Sequence, residues 1–176
     1  MGDKIERMFV LGIDPGLTRC GYGLLRRAST NSPVFEARTA GVIETPKESP
    51  VEQRLGLLSV EIDQLLDEYA PSVVVVEKIF FQSNVRTAVS VAQASGVILA
   101  AAARRGMEVA HMTPNEVKLG IVGNGAATKS QVQEMVARMC GLSAPPSPPD
   151  VADAMALAAC YLSSARLRSA LAGGAK

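Results

Sequence analysis

Phe9-Val10-Leu11-Gly12-Ile13-Asp14-Pro15-Gly16-Leu17-Thr18, continuing to Gly21-Tyr22-Gly23, is the stretch on which the reading of this chain turns. A short apolar run bounded by turn residues reads as a buried strand. Its last residue is a carboxylate, and Pro15-Gly16 fits the middle of a tight turn. Gly21 to Arg27 reads as a second strand, so Phe9 to Arg27 is expected to be a hairpin with Asp14 at its rim. An Asp that merely starts a turn is ordinary. Asp14 gains meaning only if other carboxylates return to it.

Working outward, Val34 to Ile43 reads as a third strand that completes a meander after the polar turn Ser29 to Pro33. The period then changes. Leu55, Leu58, Ile62, Leu65, Leu66 and Tyr69 recur at helical spacing, which predicts an amphipathic helix over Val51 to Tyr69, ended by Pro71. Ser72-Val73-Val74-Val75-Val76-Glu77 is a β-branched run suited to a strand covered on both faces, and again an acid closes it. A helix rich in small residues follows over about Val85 to Arg105, able to approach the sheet or a second subunit closely. Met107 to Met112 reads as a fifth strand. Thr113-Pro114 caps a helix to about Gly120, and Val132, Met135, Val136 and Met139 mark another that Gly141 stops. After the Pro-rich connector Ala144 to Pro149, the last helix is expected from Pro148 to Leu167. The fold class is therefore mixed α/β, a sheet flanked by helices. Residues 9–168 are expected to form one domain, 1–8 a flexible lead and 169–176 a disordered tail.

The chain of 176 residues carries a net charge of only +1, so a basic total cannot argue for nucleic acid. Its distribution is uneven. Glu44 to Glu68 holds seven acids against Lys47 and Arg54, whereas Lys78 to Arg138 holds seven bases against three acids, which predicts one phosphate-repelling and one phosphate-attracting side. Cys20, Cys140 and Cys160 show no C-x-x-C spacing and His111 stands alone, a pattern for reduced thiols rather than a zinc site. The longest apolar stretch, Val97 to Ala103, is far short of the ~20 residues of a membrane span. With no apolar signal core near Met1, a cytoplasmic location without membrane contact is expected.

Asp150 and Asp153 lie one turn apart at the start of the last helix, hence on one face. Acids in a first turn are commonly explained by the helix dipole. Here, however, they join an acid after the first strand and an acid after the all-Val strand. If adjacent strands place Asp14 beside Glu77, the helix can bring Asp150 and Asp153 over them. Such a cluster must take up protons or divalent cations, and all-oxygen ligands suit Mg²⁺ or Mn²⁺. Two cations held this way support in-line displacement at phosphorus, which is phosphodiester hydrolysis. Two other motifs lead elsewhere. Asp14 to Gly23 is similar to the first phosphate loop of actin-like ATPases, but no second such loop occurs. Gly123 to Ser130 approaches a P-loop, but Thr128 stands where that loop requires Gly, and a helix rather than a strand precedes it.

Gly12-Ile13-Asp14-Pro15-Gly16, Val76-Glu77-Lys78-Ile79-Phe80, Val117-Lys118, Gly123-Asn124-Gly125 with Lys129-Ser130-Gln131-Val132, and Asp150-Val151-Ala152-Asp153-Ala154 together resemble the RuvC family of Holliday-junction resolvases, which have the ribonuclease-H-like fold. The resemblance covers about Phe9 to Ser164, in order. It implies a five-stranded mixed sheet and a homodimeric endonuclease using two Mg²⁺ per active site, with Mn²⁺ a possible substitute. It further implies four-way junction DNA as substrate, symmetric nicks in two strands of like polarity, 5′-phosphate and 3′-hydroxyl ends, and RuvA and RuvB as partners in recombination and repair. Asp14, Glu77, Asp150 and Asp153 fall on the family's metal-binding tetrad, Lys118 and Lys129 on basic residues near the scissile phosphate, and Phe80 on an aromatic that meets distorted junction bases. Arg86 could add a phosphate contact. The alternatives are a ribonuclease-H-like enzyme acting on RNA and a non-catalytic junction-binding scaffold.

Overall fold

The computed structural model of the chain describes residues 8–28, 34–78 and 85–173. β1 (Val10–Asp14) and β2 (Arg19–Arg27) form the expected antiparallel hairpin with Asp14 opposite Gly21, and β3 (Phe35–Glu44) extends the meander along β2. β4 (Val73–Glu77) lies parallel to β1, with Ile13 beside Val76, and β5 (Glu108–Met112) lies parallel to β4. The sheet order is β3-β2-β1-β4-β5. Asp14 and Glu77 therefore end neighbouring strands at the same edge, each one residue past the Ile13–Val76 pair.

Helices α1 (Val51–Tyr69), α2 (Val85–Arg104), α3 (Pro114–Val122), α4 (Lys129–Met139) and α5 (Pro149–Gly173) cover the sheet. Strand alternation sorts the core into two layers. On one face Leu11, Ile13, Leu24, Val74 and Val76 meet Leu58, Ile62 and Leu66 of α1 and Ala94 and Ile98 of α2. On the other, Val10, Leu25, Val73 and Val75 meet Val117 and Ile121 of α3, Val132 and Val136 of α4, and the Ala156–Leu162 stretch of α5. The all-Val run of β4 is thus buried from both sides. α1 ends as Pro71 requires, with Ala70 left-handed at φ 41° and its N–H donating to the Leu66 carbonyl.

Two sequence expectations change. The last helix runs to Gly173 rather than Leu167, so residues 169–173, expected to be disordered, continue it as helical backbone. Ala170, Leu171 and Ala172 are good helix formers and favour that state. Arg104 and Arg105 do not serve a basic side. They pair with Asp63 and Asp67 and tie α2 to the acidic helix α1. Of the expected flexible lead, Met8 packs against the core and residues 1–7 lie outside the described ones. Among the described residues no helix is long and apolar enough to cross a membrane.

One feature fixes the depth of α5. Gly12, Gly21 and Gly23 lie on the α5 face of β1 and β2, where alternation would otherwise point side chains into the helix. A Cβ built on Gly12 would stand 2.0 Å from the Ala154 carbonyl oxygen, and one on Gly21 would stand 2.1 Å from that of Asp150. Helix backbone rests on strand backbone, the close approach that glycine in a strand permits.

Candidate active site

The strand ends and the start of α5 bring the four expected acids to one edge of the sheet. Asp14 closes β1, Glu77 closes β4, and Asp150 sits over Gly21, the residue opposite Asp14. Asp153 lies one turn further along α5 and shares a pocket of about 120 Å³ with Glu77, Lys118 and Lys129. Val117, Val132, Ala156 and Leu157 form the apolar floor of that pocket. Lys118 comes from α3, whose start is fixed by a capping box between Thr113 and Glu116. Lys129 opens α4, fixed likewise by Thr128 and Gln131. The Thr128 that breaks the P-loop pattern is therefore an N-cap.

The electrostatics follow from this crowding. The Asp14 carboxyl is pushed up from 3.8 to about 7, first by burial and then by the charges of Glu77, Asp153 and Asp150, with Lys129 pulling it down. Burial and Asp153 also raise Glu77, again opposed by Lys129. Each of the helix acids has a cation beside it. Asp153 accepts a hydrogen bond from Lys129 Nζ at 3.0 Å, and Asp150 accepts one from Arg19 Nε at 3.1 Å. The Lys129 ammonium is raised in turn, chiefly by Asp153.

Among the described residues no three His, Cys, Asp or Glu side chains stand close enough to hold one metal ion. β1, β4 and the start of α5 bring the backbones of the four expected acids to one end of the sheet. Phe80, with Phe81 and Gln82, lies outside the described residues, and so does the side chain of Arg86, which opens α2.

The sequence reading missed Arg19, whose guanidinium also reaches Glu44, its cross-strand neighbour on β3. It also missed the buried Arg54 of α1. Arg54 Nε donates to Thr45 Oγ1 at 2.9 Å and its terminal nitrogen to Thr18 Oγ1 at 2.7 Å, fastening the turn that follows Asp14. No local pattern marks either arginine. The alternating Gly21 and Gly23 did carry a readable signal for a close backbone neighbour.

Comparison with known proteins supplies the family. The model of crossover junction endodeoxyribonuclease RuvC matches residues 10–161. The crossover junction endodeoxyribonuclease RuvC of Corynebacterium jeikeium is 50% identical over 151 residues, 86% of this chain and 91% of that protein. The Thermus thermophilus RuvC structure superposes with a TM-score of 0.85 at 32% identity, over 92% of this chain and 97% of that one. T. thermophilus RuvC in complex with Holliday junction substrate gives 0.81 at 30% identity, over 91% and 96%. With the family model matched over most of its length and half of its residues shared with a curated relative, the chain belongs to the RuvC family of crossover junction endodeoxyribonucleases.

Proposed function

We propose that this chain resolves four-way DNA junctions by metal-dependent phosphodiester hydrolysis, with Asp14, Glu77, Asp150 and Asp153 as the ion-holding carboxylates. The observation that carries the reading is the state of Asp14. A carboxyl at a strand end, pushed to about 7 by burial and three acids, is in a place that favours added positive charge. The donor set fits a hard divalent cation, since it offers only carboxylate oxygens. Arg19 and Lys129 must yield Asp150 and Asp153 for all four to converge. Mg²⁺ or Mn²⁺, when bound, supplies Lewis acidity and charge neutralisation at the scissile phosphate.

The chain's own residues account for the rest. β1 and β4 hold Asp14 and Glu77 without freedom to drift, because both strands are paired on either side. Lys118 and Lys129 present ammonium groups to the phosphate oxygens, where negative charge grows during displacement. The apolar floor below them limits water to the open side. Phe80 stacks on an unpaired junction base and Arg86 contacts phosphate. Two copies of the chain, related by a two-fold axis, cut two strands of like polarity and leave 5′-phosphate and 3′-hydroxyl ends. RuvA and RuvB are its partners, in the cytoplasm.

The test is cleavage of a labelled synthetic four-way junction beside a linear duplex and an RNA–DNA hybrid, with Mg²⁺ and with chelator. Paired nicks confined to the junction and lost with chelator are expected, and Asp14→Asn is expected to lower the rate at least ~1000-fold while sparing junction binding. Hybrid cleavage would transfer the chain to the ribonuclease reading. Junction binding by the unaltered chain without cutting at any sequence would leave a scaffold.

A further inference from the structure

We propose that Arg19 is a positioning residue: an internal counter-ion, shared between Glu44 and Asp150, that holds the Asp150 carboxylate out of the ion site until a divalent cation displaces it onto Glu44 alone. The inference rests on the metal-dependent reading of the carboxylate cluster and assigns a device that regulates its loading.

Arg19 shares the α5 face of β2 with Gly21 and Gly23, because residues two apart on a strand point the same way. Gly21 has no side chain and admits the start of α5, so the Asp150 backbone is seated by contact with β2. Only its carboxylate is left to move. Arg19 projects just beyond that seat, where Nε reaches Asp150 Oδ2 at 3.1 Å while another guanidinium nitrogen reaches Glu44. The arginine's own backbone is equally fixed. The Thr45 amide donates to the Thr18 carbonyl at 3.1 Å, and Arg54 binds both threonine hydroxyls. One guanidinium thus stands between two acids whose backbones are fixed, only one of which belongs to the cluster.

A guanidinium can exchange carboxylate partners without changing its charge. Any cation that needs Asp150 must first break the Arg19 contact, so the apparent affinity is reduced by the fraction of molecules in which Asp150 is free. Glu44 sets that fraction by offering Arg19 a second place. Removing Arg19 therefore frees Asp150, whereas removing the Glu44 charge binds Arg19 more firmly to it.

The experiment is titration of the full-length, DNA-free protein with Mn²⁺, read by electron paramagnetic resonance of the unbound ion. Arg19→Gln is expected to bind Mn²⁺ about 2- to 5-fold more tightly than the unaltered chain, the scale of a partly exposed ion pair. Glu44→Gln is expected to bind it about 2- to 3-fold more weakly. Arg19→Lys, which keeps the charge but spans one carboxylate at a time, should fall between Arg19→Gln and the unaltered chain. The deciding measurement is the double variant. In the Arg19→Gln background, Glu44→Gln should lose its effect, because its influence passes through Arg19. Additive shifts would mean that both residues act only as distant charges, and would overturn the proposal, as would unchanged affinity in Arg19→Gln. Asp150→Asn separates the two readings. If it leaves Mn²⁺ binding intact, the metal-dependent reading of this cluster has failed. If it weakens binding while the Arg19 and Glu44 shifts add, only the counter-ion role has failed.

Discussion

The acids carried by strands and those carried by the last helix meet at one end of the sheet but differ in their partners. Asp14 and Glu77 end strands buried in the middle of the sheet, and among the described residues neither has an ion-pair partner. Both are raised, Asp14 to about 7. Asp150 and Asp153 sit at the open start of α5 and each holds a cation of the chain itself, Arg19 and Lys129. Central strands cannot rearrange to find a partner, whereas the first turn of a helix leaves its side chains room to do so. A site of this kind combines a rigid half that favours positive charge with an adjustable half already supplied with it.

The comparison breaks most completely if α5 is lifted from the sheet. Gly12→Val puts side-chain atoms where Ala154 backbone lies, and a loss of about 4 kcal/mol or more, up to failure to fold, is expected in urea unfolding. The next effect is linked to pH. Asp14 has a native pKa near 7 against 3.8 for the ordinary carboxyl, so between those values the native state keeps a proton that the unfolded chain has released. Its contribution to stability is therefore lost as pH rises from about 4 to 7. Without divalent ions, Asp14→Asn should match the unaltered chain near pH 4 and exceed it by roughly 2 to 4 kcal/mol above pH 7. Asp153→Asn removes the carboxylate that Lys129 pairs with and should lower stability slightly rather than raise it. Equal gains at both positions would erase the distinction between the halves. A smaller effect sharpens it. Thr128→Ala removes the cap that places Lys129, at about 1 kcal/mol, and should weaken the Lys129–Asp153 pair without changing Asp150. Chemical shifts of the two carboxylates measure both.

Much of the architecture was legible because it is written in local periods. The valines of β4 announce a strand covered on both faces, and the leucines and isoleucine of α1 recur every third or fourth residue up to the stop at Pro71. Asp14 and Glu77 were both read as strand ends, but whether their strands are neighbours was left open, because the parallel β1–β4 pairing joins distant segments. What was not legible depends on contacts between distant segments. Arg19 reaches Asp150 across 131 positions of sequence, and Arg54 reaches Thr18 across 36. No window of sequence contains both members of such a pair. The same limit made the bases at Arg104 and Arg105 look available for phosphate, when Asp63 and Asp67 had already claimed them. The end of α5 was misplaced for another reason: its Ala-, Leu- and Arg-rich stretch is helix-prone, yet its terminal position suggested fraying.

The glycine seam between α5 and the hairpin has a consequence for how this protein tolerates change. Elsewhere in the core, a larger side chain meets other side chains, which can turn aside at a cost of about 1–3 kcal/mol. Along Gly12 and Gly21 there is no such cushion, only main chain against main chain. The seam works like the fixed jaw of a gauge. Substitutions that swell the apolar layers can displace α3 or α4 outward, but the reference distance between Asp14 and the start of α5 stays where the backbone sets it.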